Sequence, residues 1–366
     1  MAVVNKPLLL SKLFYLTISV SSASFIPFLP LFFKSKDFDG KRVGVLSCIQ
    51  PFVSGFATPL LTAAADRTGK HKMVALLGYV LSVALRCALV LFDSFTWIFL
   101  LIFLAEFCGA PVWPIVENCV LDFIKQTGGE YGRQRLWGAV GWGLAALGVG
   151  AILSSSSLTL IFILHPATAV LTVAVIWYFP FAGAPASKEP IPLASITSSA
   201  SHVFCLPFSS VHMTLFFTVV LIMGTIYGVI TFFLFLYLKS LGATELVMGL
   251  SLTITCIAEI PVFFFSGPLI KRVGVMTTLS FGLFCYALRI FCYSVIQNAW
   301  EVLPIELLHG ITFGLAWSAC TMHAHVIAPP GQRCLRGFVH WGIGQGGGAL
   351  IGGALYDAYG AVTMFR

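Results

Sequence analysis

Eleven apolar stretches of about 20 residues, separated by short polar segments, leave this chain little choice of fold. They fall at 10–33, 43–65, 73–92, 96–122, 136–155, 158–181, 211–238, 246–269, 275–296, 300–327 and 338–356. At about 1.5 Å per residue, 20 helical residues cross the roughly 30 Å hydrocarbon core of a bilayer. Inside lipid every backbone N–H and C=O must be bonded within the protein, which a helix does unaided. The expected class is therefore an all-α, polytopic membrane protein, in the plasma membrane or an endomembrane. Composition excludes the soluble alternative: 58% of the 366 residues are hydrophobic and 10% are charged, against about 25% charged in soluble domains.

The formal charge of +7 is scattered, without the basic cluster a nucleic-acid partner requires. The ten Cys lie mostly within apolar runs, at no metal or disulfide spacing, and read as small buried hydrophobes. No metal or cofactor is expected. Lys6 and Lys12 precede an apolar run from Leu13 to Phe33, too long for a cleaved signal segment and taken as the first span.

Basic residues set the sidedness. With the amino terminus in the cytoplasm, thirteen Lys and Arg fall on that side and six on the other, leaving Arg86 and Arg289 within spans. The Lys34–Arg42 loop runs against this bias, partly offset by Asp37 and Asp39. The Pro-, Ser- and Ala-rich stretch 182–210 reads as a cytoplasmic linker between a six-helix half, 1–181, and a five-helix remainder, 211–366. The chain ends where a twelfth span would begin.

The halves echo one another. Residues 132–143 and 331–342 align without gaps, with Gly132, Leu136, Gly138, Val140, Trp142 and Gly143 repeated as Gly331, Leu335, Gly337, Val339, Trp341 and Gly342. Earlier in each half a basic turn precedes an arginine in mid-span: Asp66-Arg67-Thr68-Gly69 before Arg86, and Lys271-Arg272-Val273-Gly274 before Arg289. Duplicated halves are the signature of alternating-access transporters, with the solute site between them.

On these residues the chain resembles the major facilitator superfamily. The turn Asp66-Arg67-Thr68-Gly69-Lys70-His71-Lys72 is similar to that family's loop between helices 2 and 3. Pro27-x-x-Pro30-Leu-Phe-Phe-Lys34, Tyr131-Gly-Arg-Gln-Arg-Leu-Trp-Gly138, Gly310–Gly314 and Ile351–Asp357 resemble the branch of lactose permease and nucleoside–proton symporters, which includes the major facilitator superfamily domain-containing proteins. The resemblance covers the whole chain and implies 6 + 5 spans, the twelfth missing. Thr62 departs from it, standing where the family's loop usually opens with glycine.

Ionisable residues at bilayer depth cost at least about 2.5 kcal/mol when unpaired, which makes each a functional candidate. They are Arg86, Glu106, Glu117, Glu259, Arg289, Glu306 and His309. Depths counted from the cytoplasmic ends permit Arg86 to pair with Glu106, and Arg289 with Glu306 or Glu259. Glu106 and Glu117, three turns apart, are expected on one face of a helix kinked by Pro111 and Pro114. Glu306 and His309 are three apart and expected adjacent, a pair suited to exchanging a proton near neutral pH. The resemblance implies that an acid on helix 8, an arginine on helix 9 and a histidine–acid pair on helix 10 handle the coupled proton. Glu259, Arg289 and His309 occupy those helices, although the acid precedes the histidine here instead of following it. The alternative role for these charges is a set of buried ion pairs holding helices in register.

The cytoplasmic residues Asp66, Arg67, Gly69, Lys70, Arg133 and Arg135 are expected to govern conformational switching rather than solute binding. Gly344, Gly348 and Gly352 recur every fourth residue, the small-xxx-small pattern of close helix packing. Trp113, Trp142, Trp317 and Trp341 read as packing or interface anchors, His323 and His325 as interfacial, and His165 as a kink partner of Pro166. No catalytic elbow, zinc-protease motif or nucleotide loop occurs, so the chain is not expected to be an enzyme. The expected function is secondary active transport of a small polar solute, sugar- or nucleoside-like, coupled to protons. The alternative is a receptor or scaffold on a transporter fold, or a truncated isoform; no protein partner is legible.

Overall fold

The computed structural model describes residues 6–127, 130–181, 210–327 and 334–366; most of the 182–210 linker lies outside them. It is helical among these residues, and ten helices are long and apolar enough to cross a membrane. They are α1 (Leu8–Ser35), α2 (Gly40–Thr68), α3 (His71–Leu91), α4 (Phe95–Thr127), α5 (Tyr131–Leu153), α6 (Leu158–Tyr178), α7 (Val211–Ser240), α8 (Glu245–Val273), α9 (Val275–Val295) and α10 (Ala299–Ala324). An eleventh helical segment, α11, runs over 334–365. The chain is an integral, multi-pass membrane protein.

Several helices are interrupted where the sequence removes a donor or frees a turn. In α1 the helix Lys6–Ala23 gives way at Phe25 to a short turn over Ile26–Phe28, with Pro27 inside it, before resuming at Leu29. In α4 the helix ends at Gly109 and restarts at Val112, with Pro111 in the gap. Two others change pitch: α10 is π-helical over Gly310–Leu315 and α11 over Phe338–Gln345. A π turn advances the register by a residue, re-aiming every side chain after it.

Small residues decide which helices touch. Along α11, Gly344 sits on Gly224 of α7, so close that an added Cβ would meet the Gly224 Cα at 2.8 Å, while Gly352 fits beneath Phe233. The every-fourth-residue reading of this tract is thus a packing seam. The other side of α11 meets α2, where a Cβ on Gly44 would lie 2.5 Å from the Ala349 carbonyl oxygen. Between α5 and α8 a Cβ on Gly150 would lie 2.5 Å from the Glu245 oxygen, and Thr253 donates to the Gly143 carbonyl at 2.9 Å. The α2–α11 and α5–α8 approaches join the two halves, towards the side bearing the loops at 36–39, 154–157 and 241–244. The Asp357 carboxylate adds a polar clasp there, accepting from the Gly40 and Lys41 amides at the start of α2. The bundle is closed on that side.

Candidate functional site

A deeply buried polar cluster is built on α8, α9 and α10. Arg289, 2% exposed, donates from Nη2 to Glu306 Oε2 at 2.5 Å, and Glu306 is 1% exposed. Tyr293, one turn beyond Arg289, accepts from its Nε at 2.8 Å and donates to Glu306 Oε1 at 2.6 Å. The Arg289–Glu306 pair is thereby satisfied on both carboxylate oxygens. That matters because a buried ion pair lacking such bonds does not recover its desolvation cost.

Arg289 also reaches the other side. Its Nη1 lies 2.8 Å from His309 Nδ1, and His309 Nε2 lies 2.8 Å from Glu259 Oε1. A guanidinium only donates, so Nδ1 of a neutral His309 is the acceptor and its proton sits on Nε2, facing Glu259. The order is Glu306, Arg289, His309, Glu259: two acids, one fixed cation and one titratable ring. Glu306 cancels Arg289. Glu259 is left as a net negative charge at membrane depth unless it or His309 takes up a proton. These two are also the more accessible end, with side chains 16% and 12% exposed.

Three sequence expectations meet this geometry. Arg289 pairs with Glu306, as the depths permitted. Glu259 does not touch Arg289 directly; it binds His309, which stands between them. Glu306 and His309 do not form the expected adjacent pair, because the helix Val302–Glu306 ends before the π turn begins, and Arg289 bridges the two instead. Tyr293 was missed. Its signal was present, a phenol four residues from a mid-span arginine.

The first half carries a simpler version. Arg86 Nη2 donates to Glu106 Oε1 at 2.7 Å, with side chains 12% and 13% exposed. This pair joins α3 to α4 as Arg289–Glu306 joins α9 to α10, a duplicated ion pair within a duplicated fold. It borders a small cavity of about 30 Å³ whose wall includes Phe25, Ser47, Gln50, Ile102 and Phe232.

Glu117 goes elsewhere. The break at Pro111 ends the common face expected for Glu106 and Glu117. Glu117 accepts from Trp113 Nε1 at 3.0 Å, from the Tyr131 hydroxyl, and from Arg135 at 3.4 Å. Arg135 thus belongs to a cluster fastening α4 to α5, whereas Arg133 pairs with Glu130 at the exposed start of α5. In the α2–α3 turn Asp66 meets His71 at 2.7 Å, and Gly69 takes φ = 65°, the left-handed conformation that closes a helix; Arg67 and Lys70 are exposed. His165 is buried against Phe25, with Nδ1 2.9 Å from the Ser21 carbonyl where α1 breaks. His323 contacts His212 at 3.2 Å, and the His325 side chain lies outside the described residues.

Residues 8–366 match the MFS_1 like family. The chain is 26% identical over 364 residues to the maltose permease of Geobacillus stearothermophilus, covering 96% of this chain and 89% of that protein. It is 23% identical to major facilitator superfamily domain-containing protein 6-like protein B of Xenopus laevis, over 71% of this chain and 44% of that one's length. In structure it superposes on the nucleoside transporter NupG with a TM-score of 0.79 at 17% identity, covering 98% of this chain and 94% of that one. The low-identity superposition establishes the fold, and the whole-chain family match establishes kinship.

Proposed function

The chain belongs to the MFS_1 like family, and from that membership and the α8–α10 network we propose a proton-coupled secondary transporter of a small polar solute. Family and fold are those of transporters, not enzymes. The relatives' names, a maltose permease and a nucleoside transporter, make sugars and nucleosides the first solute classes to try. The Lys/Arg bias supports a cytoplasmic amino terminus and 182–210 linker.

The single observation that carries the coupling is the order of the four groups around Arg289. One acid is locked to the arginine by Tyr293, and the second reaches it only through an imidazole. A proton arriving at Glu259 or His309 removes the uncompensated charge at membrane depth, and its departure restores it. Any movement of α8 against α10 changes the contact between Glu259 and His309, and so changes how readily the proton is held. Solute binding that favours one arrangement is then linked to proton binding, and the linkage is reciprocal.

The test is uptake of labelled maltose and uridine into proteoliposomes with and without a pH gradient. Glu259→Gln is expected to abolish uphill, gradient-driven accumulation while preserving exchange of solute across the membrane. Arg289→Ala is expected to be worse, because it strands Glu306 without its counter-charge. Wild-type accumulation in the Arg289→Gln/Glu306→Gln double variant would assign that pair to scaffolding alone. Uptake insensitive to the gradient would overturn the coupling reading.

A further inference from the structure

We infer that α10 and α11 together form a binding site for a small aromatic carboxylate, with Arg336 as the anion anchor and His340 as a hydrogen-bond acceptor. Treating that molecule as cargo rests on the transporter reading above; its binding does not.

The first observation is an unmatched cation. Arg336 forms no ion pair among the described residues, and its Nη1 is buried with no hydrogen-bond partner. A guanidinium whose buried N–H is left unpaired is costly. What it has is Trp317, whose ring lies 4.0 Å below the guanidinium carbon. That cation–π contact holds the guanidinium plane in place and leaves N–H donors free. A planar fork with free donors matches a carboxylate.

A second orphan lies one turn further along α11. His340 is 2% exposed, and its Nε2 is buried without a partner. Its Nδ1 faces the Val220 carbonyl at 3.4 Å, and a carbonyl only accepts, so Nδ1 carries the proton and Nε2 is a bare acceptor. Trp317 touches both residues, with its ring 5.0 Å from that of His340. Donors and an acceptor are therefore held beside one aromatic surface.

That surface is larger than one ring. His309, Phe313 and Trp317 stack along α10, with interplanar angles of 16° and 17° and centroids 5.4 and 6.1 Å apart. Trp341 lies beside them, 5.2 Å from Trp317 and tilted 58° to it, and Phe313, Trp317 and Trp341 all remain half-buried. Both helices adopt π turns over this stretch, a distortion that favours functional sites over plain packing. Tyr227 already covers Phe313, 5.6 Å away at 27°, so the inferred ligand sets its ring against Trp317, its carboxylate on Arg336 and a ring N–H on His340.

Scintillation-proximity binding of tritiated indole-3-acetate to the purified full-length chain tests this. Saturable binding is expected, with competition by indole-3-acetamide and by cyclohexylacetate at least tenfold weaker than by unlabelled probe. Competition by 1-methylindole-3-acetate, which lacks the ring N–H, should be several-fold weaker. Arg336→Gln should weaken binding at least tenfold, and Arg336→Lys should recover only part of it. Absence of saturable binding, equal competition by the amide, or an unaffected Arg336→Gln variant would overturn the site. The competitor series uses wild-type protein, so it decides the matter even if the variants fail to fold. Maltose or uridine uptake without indole-3-acetate binding overturns this inference alone; binding without gradient-driven uptake overturns only the transporter reading.

Discussion

At the residue scale the second-half network depends on Tyr293 as much as on its charged members. Its hydroxyl is the only group bonded to both Arg289 and Glu306 among the described contacts. Tyr293→Phe keeps the ring and removes the hydroxyl, leaving a buried guanidinium nitrogen and a carboxylate oxygen each short of a partner. The expected loss of stability is about 1–3 kcal/mol, measured as a lower unfolding midpoint in detergent. The same change should alter the pH profile of uptake, since it loosens the arginine that also contacts His309. A shifted midpoint with an unchanged profile would confine Tyr293 to scaffolding. Residue identity at this level was readable beforehand: every ionisable group of the network is visible as a break in an apolar run. Which acid meets which base was not, because depth along a helix fixes height but not the neighbouring face.

At the element scale the close seams are made of glycine, and they are where the halves part or stay together. A Cβ on Gly150 would meet the Glu245 oxygen at 2.5 Å and the Gly249 Cα at 3.1 Å. Gly150→Val cannot be absorbed by a flexible side chain, since both obstacles are backbone. Packing within each half does not involve this contact, so α5 and α8 are expected to separate while the halves stay folded. Alkylation of Thr253→Cys, in a background without reactive native cysteines, should then accelerate several-fold over the same cysteine beside Gly150. An unchanged rate in a well-folded variant would mean that the α5–α8 seam is not the closing contact. The glycine periodicity announced a tight seam on α11 but not that one flank of the helix meets α7 and the other α2. The π turns were likewise hidden, since they satisfy the backbone nearly as well as α turns and leave no fixed residue pattern.

At the scale of the whole molecule the closed side is fastened by few groups, one of them Asp357. Its carboxylate sits on the first two amides of α2, where a helix leaves N–H groups unsatisfied and its dipole favours negative charge. This clasp ties α11 of one half to α2 of the other, and opening that side must break it. Asp357→Asn is expected to weaken closure and raise, by severalfold, the alkylation of Ser47→Cys from that side. Under the proposed topology the reagent acts from outside the cell or from the lumen of the organelle, so a membrane-impermeant maleimide also checks the orientation. Protection identical to wild type would show that the glycine seams alone keep the side closed.

The sequence by itself determined the solvent this chain lives in, its approximate spans, the duplication of its halves and the identity of the buried ionisable groups. These are local properties: an apolar run of a given length has one way to satisfy its backbone in lipid, and a charge within it is conspicuous at any register. Tertiary structure alone decided that His309 stands between Glu259 and Arg289, that Arg336 lies over Trp317 with no acid beside it among the described residues, and that the bundle is shut on one side. Each of these depends on which helices are neighbours and on a register reset by a proline break or a π turn. Those are settled by close packing between segments some 20 to 300 residues apart in the chain, at distances where one residue of slip turns a side chain by about 100° around its helix.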